Sequence, residues 1–393
     1  MTSTSGKRVA SVDIMRALTM LTMLFVNDFA GMSNIPHWMH HAAMDEDMLG
    51  FSDLVFPAFI FCVGMSIPFA IINRYSKGDS PLEVLLHIAK RTVALLIMGL
   101  FSMNLGGVEG GLSRQAFTLL AVACYFLVWN VYPKKNGRTP LWCNILKALG
   151  LAGLAALVIY KDLNGMPFKV GWWGILGLIA WTYLVCSLIF TFTKGRTKSI
   201  VIAWLVVVML CILNSTKAIP ANFSSRAIIL GFIPGGWTHH ALGMSGVLTS
   251  VLMLSFGKEK SKKLIGTLVA LGIAMFLLGL LSHNFWIISK IQATPTWLFF
   301  CTAIFFPLFA LIYWIADVKG KSGWSRPISP AGTATLTCYT VPYIWYAVQQ
   351  TGGWHWPAAL TSGGPGLLKA LAFSFAVIGI TWLLGKCRIK LKI

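Results

Sequence analysis

Charged residues are scarce in this chain, and acidic ones are the scarcest. Asp, Glu, Lys and Arg make up 11% of its 393 residues, and only 12 residues are acidic. A soluble domain covers its surface with about twice that share of charge, so this composition excludes one as the main body of the protein. Apolar residues reach 56%, and apolar stretches of about 20 residues, enough to cross a bilayer core, recur along the chain. The sequence predicts an all-α, polytopic membrane helix bundle.

The apolar stretches predict about twelve transmembrane helices within a single domain, 1–393. The predicted ranges are 11–30, 54–74, 84–104, 114–133, 141–160, 172–193, 199–216, 238–257, 263–282, 295–317, 331–350 and 367–385. The first range follows two basic residues as a signal peptide would. It has no small-residue cleavage site and contains Asp13 and Arg16, so we expect it to stay as the first span.

Lys and Arg are distributed unevenly between the two sides that alternating spans define. Seven lie on the side opposite the N-terminus: Arg114, Lys161, Lys169, Lys217, Arg226, Lys290 and Lys369. Arg16 lies inside the first span, which leaves 24 of the 32 on the side of the N-terminus. The positive-inside rule therefore predicts that both termini are cytoplasmic. Because these charges sit in short loops, topology explains the net charge of +20 better than nucleic-acid binding, and no nucleic-acid partner is expected.

The eight cysteines and the first histidines give little support for a metal site. The cysteines show no paired or metal-like spacing and fall mainly inside spans, where they serve as small packing residues. His37, His40, His41 and Asp45 have a spacing that a helix could use for zinc, but no second cluster accompanies them. We rank metal binding below acid/base chemistry and expect no metal.

Ionisable side chains concentrate at the first span and in the loop after it. The span contains Asp13, Arg16, Asn27 and Asp28, and the loop 31–53 has three histidines and no Lys or Arg. Such groups inside a membrane are costly and mark polar cavities, proton paths or reaction sites. The alternative is a set of helix-end charges solvated by lipid headgroups.

Asp53 stands at the start of the second apolar stretch and allows two interpretations. A carboxylate there suits a helix cap, because the helix N-terminus carries partial positive charge. It also suits the orientation of a loop histidine, which is the residue best adapted to acid/base work near neutral pH. The acidic stretch 45–47 could hold a histidine in the same way.

Several ordered motifs resemble one known family. They are residues 8–16 (RVASVDIMR), 23–27 (MLFVN), 41–42 (HA), 53–64 (DLVFPAFIFCVG), 111–114 (GLSR), 284–289 (NFWIIS) and 316–320 (ADVKG). Together they resemble the heparan-alpha-glucosaminide N-acetyltransferase family of transmembrane acyltransferases. The match is best across 8–133 and 238–350.

The resemblance implies a multi-pass enzyme that moves acetyl from cytoplasmic acetyl-CoA to the amine of a glucosamine-type sugar across the membrane. Asn27 and His41 match an asparagine and a histidine that serve the reaction in that family. The interval from His41 to Asp53 is about two residues longer than in the animal enzymes, so His40 stays an alternative. The candidate catalytic residues are His41, Asn27 and Asp53.

The donor's nucleotide end is anionic and needs basic groups reachable from the cytoplasm. Among them, Arg16 is favoured because it sits inside the membrane, where Asp13 or a phosphate would be its partner. Including positions carried over by the resemblance, the candidate donor-binding residues are Arg8, Asp13, Arg16, Arg91, Arg114, Trp286 and Ser289.

Two chemical routes and two other functions stay open at this point. His41 serves either as general base for a direct transfer or as a transient acetyl carrier, while Asn27 polarises the carbonyl. The alternatives are a polysaccharide O-acetyltransferase and a proton-coupled transporter that uses Asp13, Arg16, Asp28 and His41.

We expect no counterpart here of the large soluble domain that precedes the membrane core in animal members. We therefore expect a bacterial-type protein of the inner membrane, with the lipid bilayer, acetyl-CoA and an amino sugar as its partners. Dimerisation is expected from the resemblance alone.

Overall fold

The protein is almost entirely helical in a computed structural model that describes residues 9–133, 139–171, 173–216 and 236–393. The described residues form thirteen α-helices: α1 (Ala10–Phe29), α2 (Val55–Tyr75), α3 (Pro81–Met103), α4 (Arg114–Trp129), α5 (Leu141–Leu163), α6 (Gly174–Phe192), α7 (Thr197–Thr216), α8 (Gly236–Phe256), α9 (Ser261–His283), α10 (Pro295–Tyr313), α11 (Ser329–Thr333), α12 (Thr335–Gly352) and α13 (Gly363–Lys386). Their only β-pairing is two isolated bridges. The all-α prediction is confirmed.

Ten of the described helices are long and apolar enough to cross a membrane, which confirms a polytopic helical membrane protein. The other two predicted spans correspond to α4 and α12. α4 has 16 residues and ends at Trp129, because Asn130 turns to extended backbone and forms a bridge with Leu391. α12 starts only at Thr335, because Ala334 leaves the helical region and separates it from α11.

The described helices divide into two compact units. The first comprises the described parts of Met1–Thr19, Pro36–Val93 and Leu178–Arg326, and the second those of Met20–Ile35, Ala94–Gly177 and Pro327–Ile393. Three helices, α1, α3 and α6, contribute residues to both units.

In the first unit, α2 and α8 approach each other backbone to backbone. A Cβ on Gly64 would lie 1.9 Å from the carbonyl oxygen of Gly243, and one on Gly246 would lie 2.1 Å from that of Phe61. Such small residues let helices pack closely in a membrane, where burial of apolar surface gives little driving force. α8 is accordingly the most enclosed element of this unit, with every residue from 238 to 253 buried.

In the second unit, charged side chains inside the bundle have partners of their own. The carboxylate of Asp28 accepts hydrogen bonds from Lys369 Nζ at 2.6 Å and from the Tyr346 hydroxyl at 2.8 Å. Lys161 is buried on α5, where its Nζ donates to the carbonyl oxygen of Asn104 at 2.8 Å and lies over the ring of Phe117.

Within each unit, the loops that touch are those that alternating spans would place on one side of the membrane. In the first unit, the N–H groups of Ala10 and Ser11 donate to Asp317 after α10, and the loop after α1 contacts the loop after α9. In the second unit, residues after α1 contact residues before α13. These contacts agree with the alternation on which the predicted topology depends.

Candidate active site

The loop between α1 and α2 folds back on itself ahead of α2. The Ser52 hydroxyl donates to the Met39 carbonyl oxygen at 2.5 Å, and the Ala42 N–H donates to Asp53 Oδ2 at 2.9 Å. Gly50 is packed so closely that a Cβ there would lie 2.2 Å from the carbonyl oxygen of His40. The loop therefore holds the segment around His41 against the start of α2.

A second loop, residues 284–294 between α9 and α10, fastens the outer part of the first. Asp47 accepts hydrogen bonds from the Ile288 N–H at 2.8 Å and from His283 Nε2 at 2.7 Å. The carbonyl oxygen of Met44 accepts from the Ser289 hydroxyl at 3.1 Å and from the side-chain amide of Gln292 at 2.8 Å. These four bonds fix residue 290 beside the first loop.

His41, Asp53 and Lys290 meet at the centre of this arrangement. His41 Nδ1 lies 2.8 Å from Asp53 Oδ1, and Lys290 Nζ lies 2.8 Å from the same oxygen and 2.6 Å from Nδ1. The Asp53 side chain is 1% exposed, that of Lys290 20% and that of His41 45%. A buried carboxylate thus contacts an imidazole that remains open to a reacting molecule.

Asp53 does not act as the helix cap that one interpretation of the sequence predicted. α2 begins at Val55 after a short 3₁₀ turn, Phe51–Leu54. Its N-cap residue is Leu54, whose side chain forms no capping hydrogen bond. Both carboxylate oxygens are instead occupied by His41, Lys290 and the Ala42 N–H. The capping interpretation is wrong, because tertiary contacts take the oxygens that a cap would need.

Two other histidines in this region pair with carboxylates that are much more exposed. His37 Nε2 lies 2.5 Å from Glu46, whose carboxyl pKa is lowered by a hydrogen bond from the Ala43 N–H and then by His37. Burial acts to raise the pKa of Asp47, but hydrogen bonds from the Ile288 N–H and His283 bring it below its usual value. The carboxylates of Glu46 and Asp47 are 30% and 40% exposed, so only the pair with Asp53 has a buried acid.

The geometry around His41 suits acid/base chemistry. When Nδ1–H donates to Asp53, the lone pair of the ring lies on Nε2, the nitrogen that these contacts leave available. An imidazole oriented in this way accepts a proton from a nucleophile, while the carboxylate stabilises the imidazolium that forms. His40, the alternative from the sequence, is half-buried.

Three predicted donor-binding residues of the first unit, Asp13, Arg16 and Arg91, lie in two places. Arg16 Nη1 lies 3.5 Å from Asp13 in the early turns of α1. On α3, the guanidinium of Arg91 lies 4.6 Å from the ring centre of Tyr183, and its buried Nε has no hydrogen-bond partner among the described residues. Arg8 lies outside the described residues.

The remaining predicted site residues are placed elsewhere. Trp286 Nε1 donates to the Ser215 carbonyl oxygen at 3.3 Å, and Ser289 is buried with its hydroxyl on Met44, so both hold loops in place. Asn27, near the end of α1, and Arg114, the first residue of α4, are exposed and belong to the second unit.

Lys290 is the residue of this site that sequence reasoning missed. It lies 249 positions after His41, and it was counted only among the charges that define topology. Its position in the sequence is the one feature that indicates a role: Lys290 directly follows the 284–289 motif and lies on the predicted side that is poor in basic residues.

Comparison with known proteins gives one family and two curated relatives. The family described as "Domain of unknown function (DUF5009)" matches residues 8–245. The chain is 28% identical over 187 residues to the heparan-alpha-glucosaminide N-acetyltransferase of Mus musculus. This alignment covers 42% of the chain and 28% of that protein. It is 34% identical over 107 residues to the Homo sapiens protein of the same name, and this alignment covers 27% of the chain and 15% of that protein. The matched part spans less than a third of either relative's length.

Proposed function

The chain belongs to the family described as domain of unknown function DUF5009, and we propose that it is a membrane acetyltransferase. Its acyl donor would be acetyl-CoA and its acceptor the amine of a glucosamine-type sugar on the extracytoplasmic side. Two relatives named heparan-alpha-glucosaminide N-acetyltransferase support the reaction class. Heparan itself is part of their names and is not carried to this chain.

The observation that carries the proposal is the contact of His41 Nδ1 with the buried Asp53. The acceptor amine attacks the carbonyl carbon of the thioester, and His41 Nε2 takes the proton that the amine loses. The C–S bond then breaks, and the proton on His41 passes to the departing thiolate. Asp53 balances the imidazolium while it exists. Asn27 belongs to the second unit, and its part in the reaction stays a prediction from the family resemblance.

The donor's phosphates would be held by the basic groups of the first unit. Arg91 supports this assignment, because its buried Nε–H lacks a partner among the described residues while Tyr183 fixes the guanidinium. A planar guanidinium with free N–H groups suits phosphate oxygens. Arg16 is the second candidate, because it lies on α1 inside the predicted first span, where an anionic group would balance its charge.

The first test is acetyl transfer from radiolabelled acetyl-CoA to glucosamine by the full chain in detergent. His41→Ala is expected to reduce kcat by about 10²–10⁴-fold, the usual contribution of a general base, while acetyl-CoA binding persists. His37→Ala is the matched control, because His37 lies in the same loop with an exposed carboxylate, and it is expected to keep wild-type activity.

The other outcomes of this assay separate the alternatives. Full activity in His41→Ala would move the role to His40 or elsewhere. Acetylation of a hydroxyl acceptor in preference to the amine would indicate an O-acetyltransferase. A folded wild type that neither binds acetyl-CoA nor transfers acetyl would overturn the proposal in favour of a carrier.

A further inference from the structure

Lys290 Nζ, His41 Nδ1 and Asp53 Oδ1 form a triangle with edges of 2.6, 2.8 and 2.8 Å. An imidazole Nδ1 has one position, which holds either a proton or a lone pair. It can donate to Asp53 or accept from Lys290, but it cannot do both. Asp53 and Lys290 therefore compete for the same ring nitrogen.

The two outcomes of this competition give His41 opposite chemistry. When Nδ1–H donates to Asp53, Nε2 carries the lone pair and can accept a proton. When Lys290 donates to Nδ1, the proton lies on Nε2, and that nitrogen can only donate. In both states a second N–H of the ammonium remains able to bond Asp53 Oδ1, so Lys290 need not leave its place.

We propose that Lys290 is a positioning residue that sets which nitrogen of His41 carries the proton and that keeps the imidazolium short-lived. This inference rests on the proposed function, in which His41 accepts a proton and must then release it. The sequence motifs assign no role to Lys290, and it contacts the ring from a loop 249 positions away.

The charge balance of the triangle explains why an ammonium is useful there. A buried carboxylate alone would stabilise the imidazolium strongly and would retain the proton on His41. The ammonium of Lys290 offsets that charge at similar distance, so the ring can pass its proton to the leaving thiolate. Asp53 thus favours uptake of the proton by His41, and Lys290 favours its release.

The other titratable groups of these loops and of the helices beside them include two further histidine–carboxylate pairs, His37 with Glu46 and His283 with Asp47. The rest are His40 and Asp45 in the first loop, His239 between Phe56 and Trp297, and Cys301 on α10. Cys301 lies within electrostatic reach of both Asp53 and Lys290. Asp53 and Lys290 contact the ring of His41 directly, so these two residues determine which ring nitrogen carries the proton.

The loop contacts give Lys290 the fixed position that this role requires. Ser289, the residue before it, bonds the Met44 carbonyl oxygen, and Gln292 bonds the same oxygen. Holding a lysine side chain costs conformational freedom, and the fastened backbone on both sides means that little further backbone freedom is lost. These bonds thus prepare the lysine for its contact with His41.

The test compares Lys290→Met, Lys290→Arg and the control Lys198→Met, an exposed lysine on α7. The protein is labelled with ¹⁵N-histidine, and the His41 resonances are assigned by their loss in His41→Gln. We expect Lys290→Met to move the ring toward the Nδ1–H tautomer and to move the acid limb of the kcat profile to higher pH, because a positive charge beside the ring has been removed. Lys290→Arg keeps the charge and is expected to hold both readouts near wild type, as is Lys198→Met.

The two readouts separate a positioning role from a structural one. A Lys290→Met protein whose tautomer and acid limb both match wild type would overturn the proposal, even if its kcat falls. Because the tautomer is measured without substrate, it decides the role of Lys290 even if the wild type transfers no acetyl group. A wild type without activity would then count against the proposed function alone.

Discussion

At the scale of single residues, burial of the acid distinguishes one histidine–carboxylate pair from the others. His37, His41 and His283 each contact a carboxylate, but only Asp53 is removed from solvent. The sequence predicted that Asp53 or the 45–47 stretch would hold a histidine, and it could not choose between them. Burial decides that choice, and burial depends on a loop closure that no local pattern encodes.

Asp53→Asn keeps the size of the side chain and removes its charge. We expect kcat to fall by about 10²–10⁴-fold, because the ring loses the partner that directs its lone pair to Nε2. The melting temperature is also expected to fall, since Lys290 would lose its counter-charge while largely buried. Steady-state kinetics and thermal unfolding in detergent measure the two effects.

The double variant Asp53→Asn with Lys290→Met is the control for that experiment. It removes both charges together, so the melting temperature should recover part of the loss while kcat stays low. An Asp53→Asn protein with kcat close to wild type would contradict the role given to the carboxylate.

At the scale of elements, hydropathy predicted where helices lie better than where they end. All twelve predicted ranges overlap described helices, ten of which are long and apolar enough to cross a membrane. About 20 apolar residues in a bilayer leave the backbone few other ways to satisfy its hydrogen bonds. The departures come from tertiary contacts, such as the Asn130 bridge to Leu391 that ends α4. The contact between His41 and Lys290 is likewise long-range, so spacing could not reveal it.

The close packing of α2 and α8 gives an element-scale prediction. Gly64→Ala would force a Cβ into the Gly243 backbone, and overpacking of this kind costs about 1–3 kcal/mol of stability. Gly266→Ala on α9 is the matched control, because no neighbour lies within 4 Å of its Cβ position. Thermal unfolding should show a lower melting temperature for Gly64→Ala and no decrease for Gly266→Ala. Equal melting temperatures would refute the packing argument.

The contact between the loops 31–53 and 284–294 should respond to acid through Asp47. Its pKa lies below the ordinary value of 3.8, so its contribution to loop closure is complete above that pH and is lost as the pH falls through the lowered value. We expect the protection of the Ile288 amide from hydrogen exchange, measured against the intrinsic rate at each pH, to fall in that range. Asp47→Asn should exchange faster at neutral pH and lose the acid step, and a wild-type step well above pH 4 would point to another group.

At the scale of the whole molecule, the orientation in the membrane can be tested with cysteines. Cys387 is exposed, whereas the other seven cysteines are buried. With both termini in the cytoplasm, an impermeant maleimide should label Cys387 in intact cells only after permeabilisation. In a Cys387→Ser background, Asp45→Cys in the first loop should react without permeabilisation. The opposite pattern would reverse the topology and place His41 on the cytoplasmic side.

The most direct test of the central claim is sided acetyl transfer in proteoliposomes of known orientation. Labelled acetyl-CoA is supplied on the side that exposes Cys387, and glucosamine is supplied on the other side. We expect N-acetylated sugar to appear on the glucosamine side with wild-type protein, and none above background with His41→Ala or with the two substrates exchanged. Product that forms regardless of side, or equally with His41→Ala, would contradict a transmembrane transfer that depends on His41.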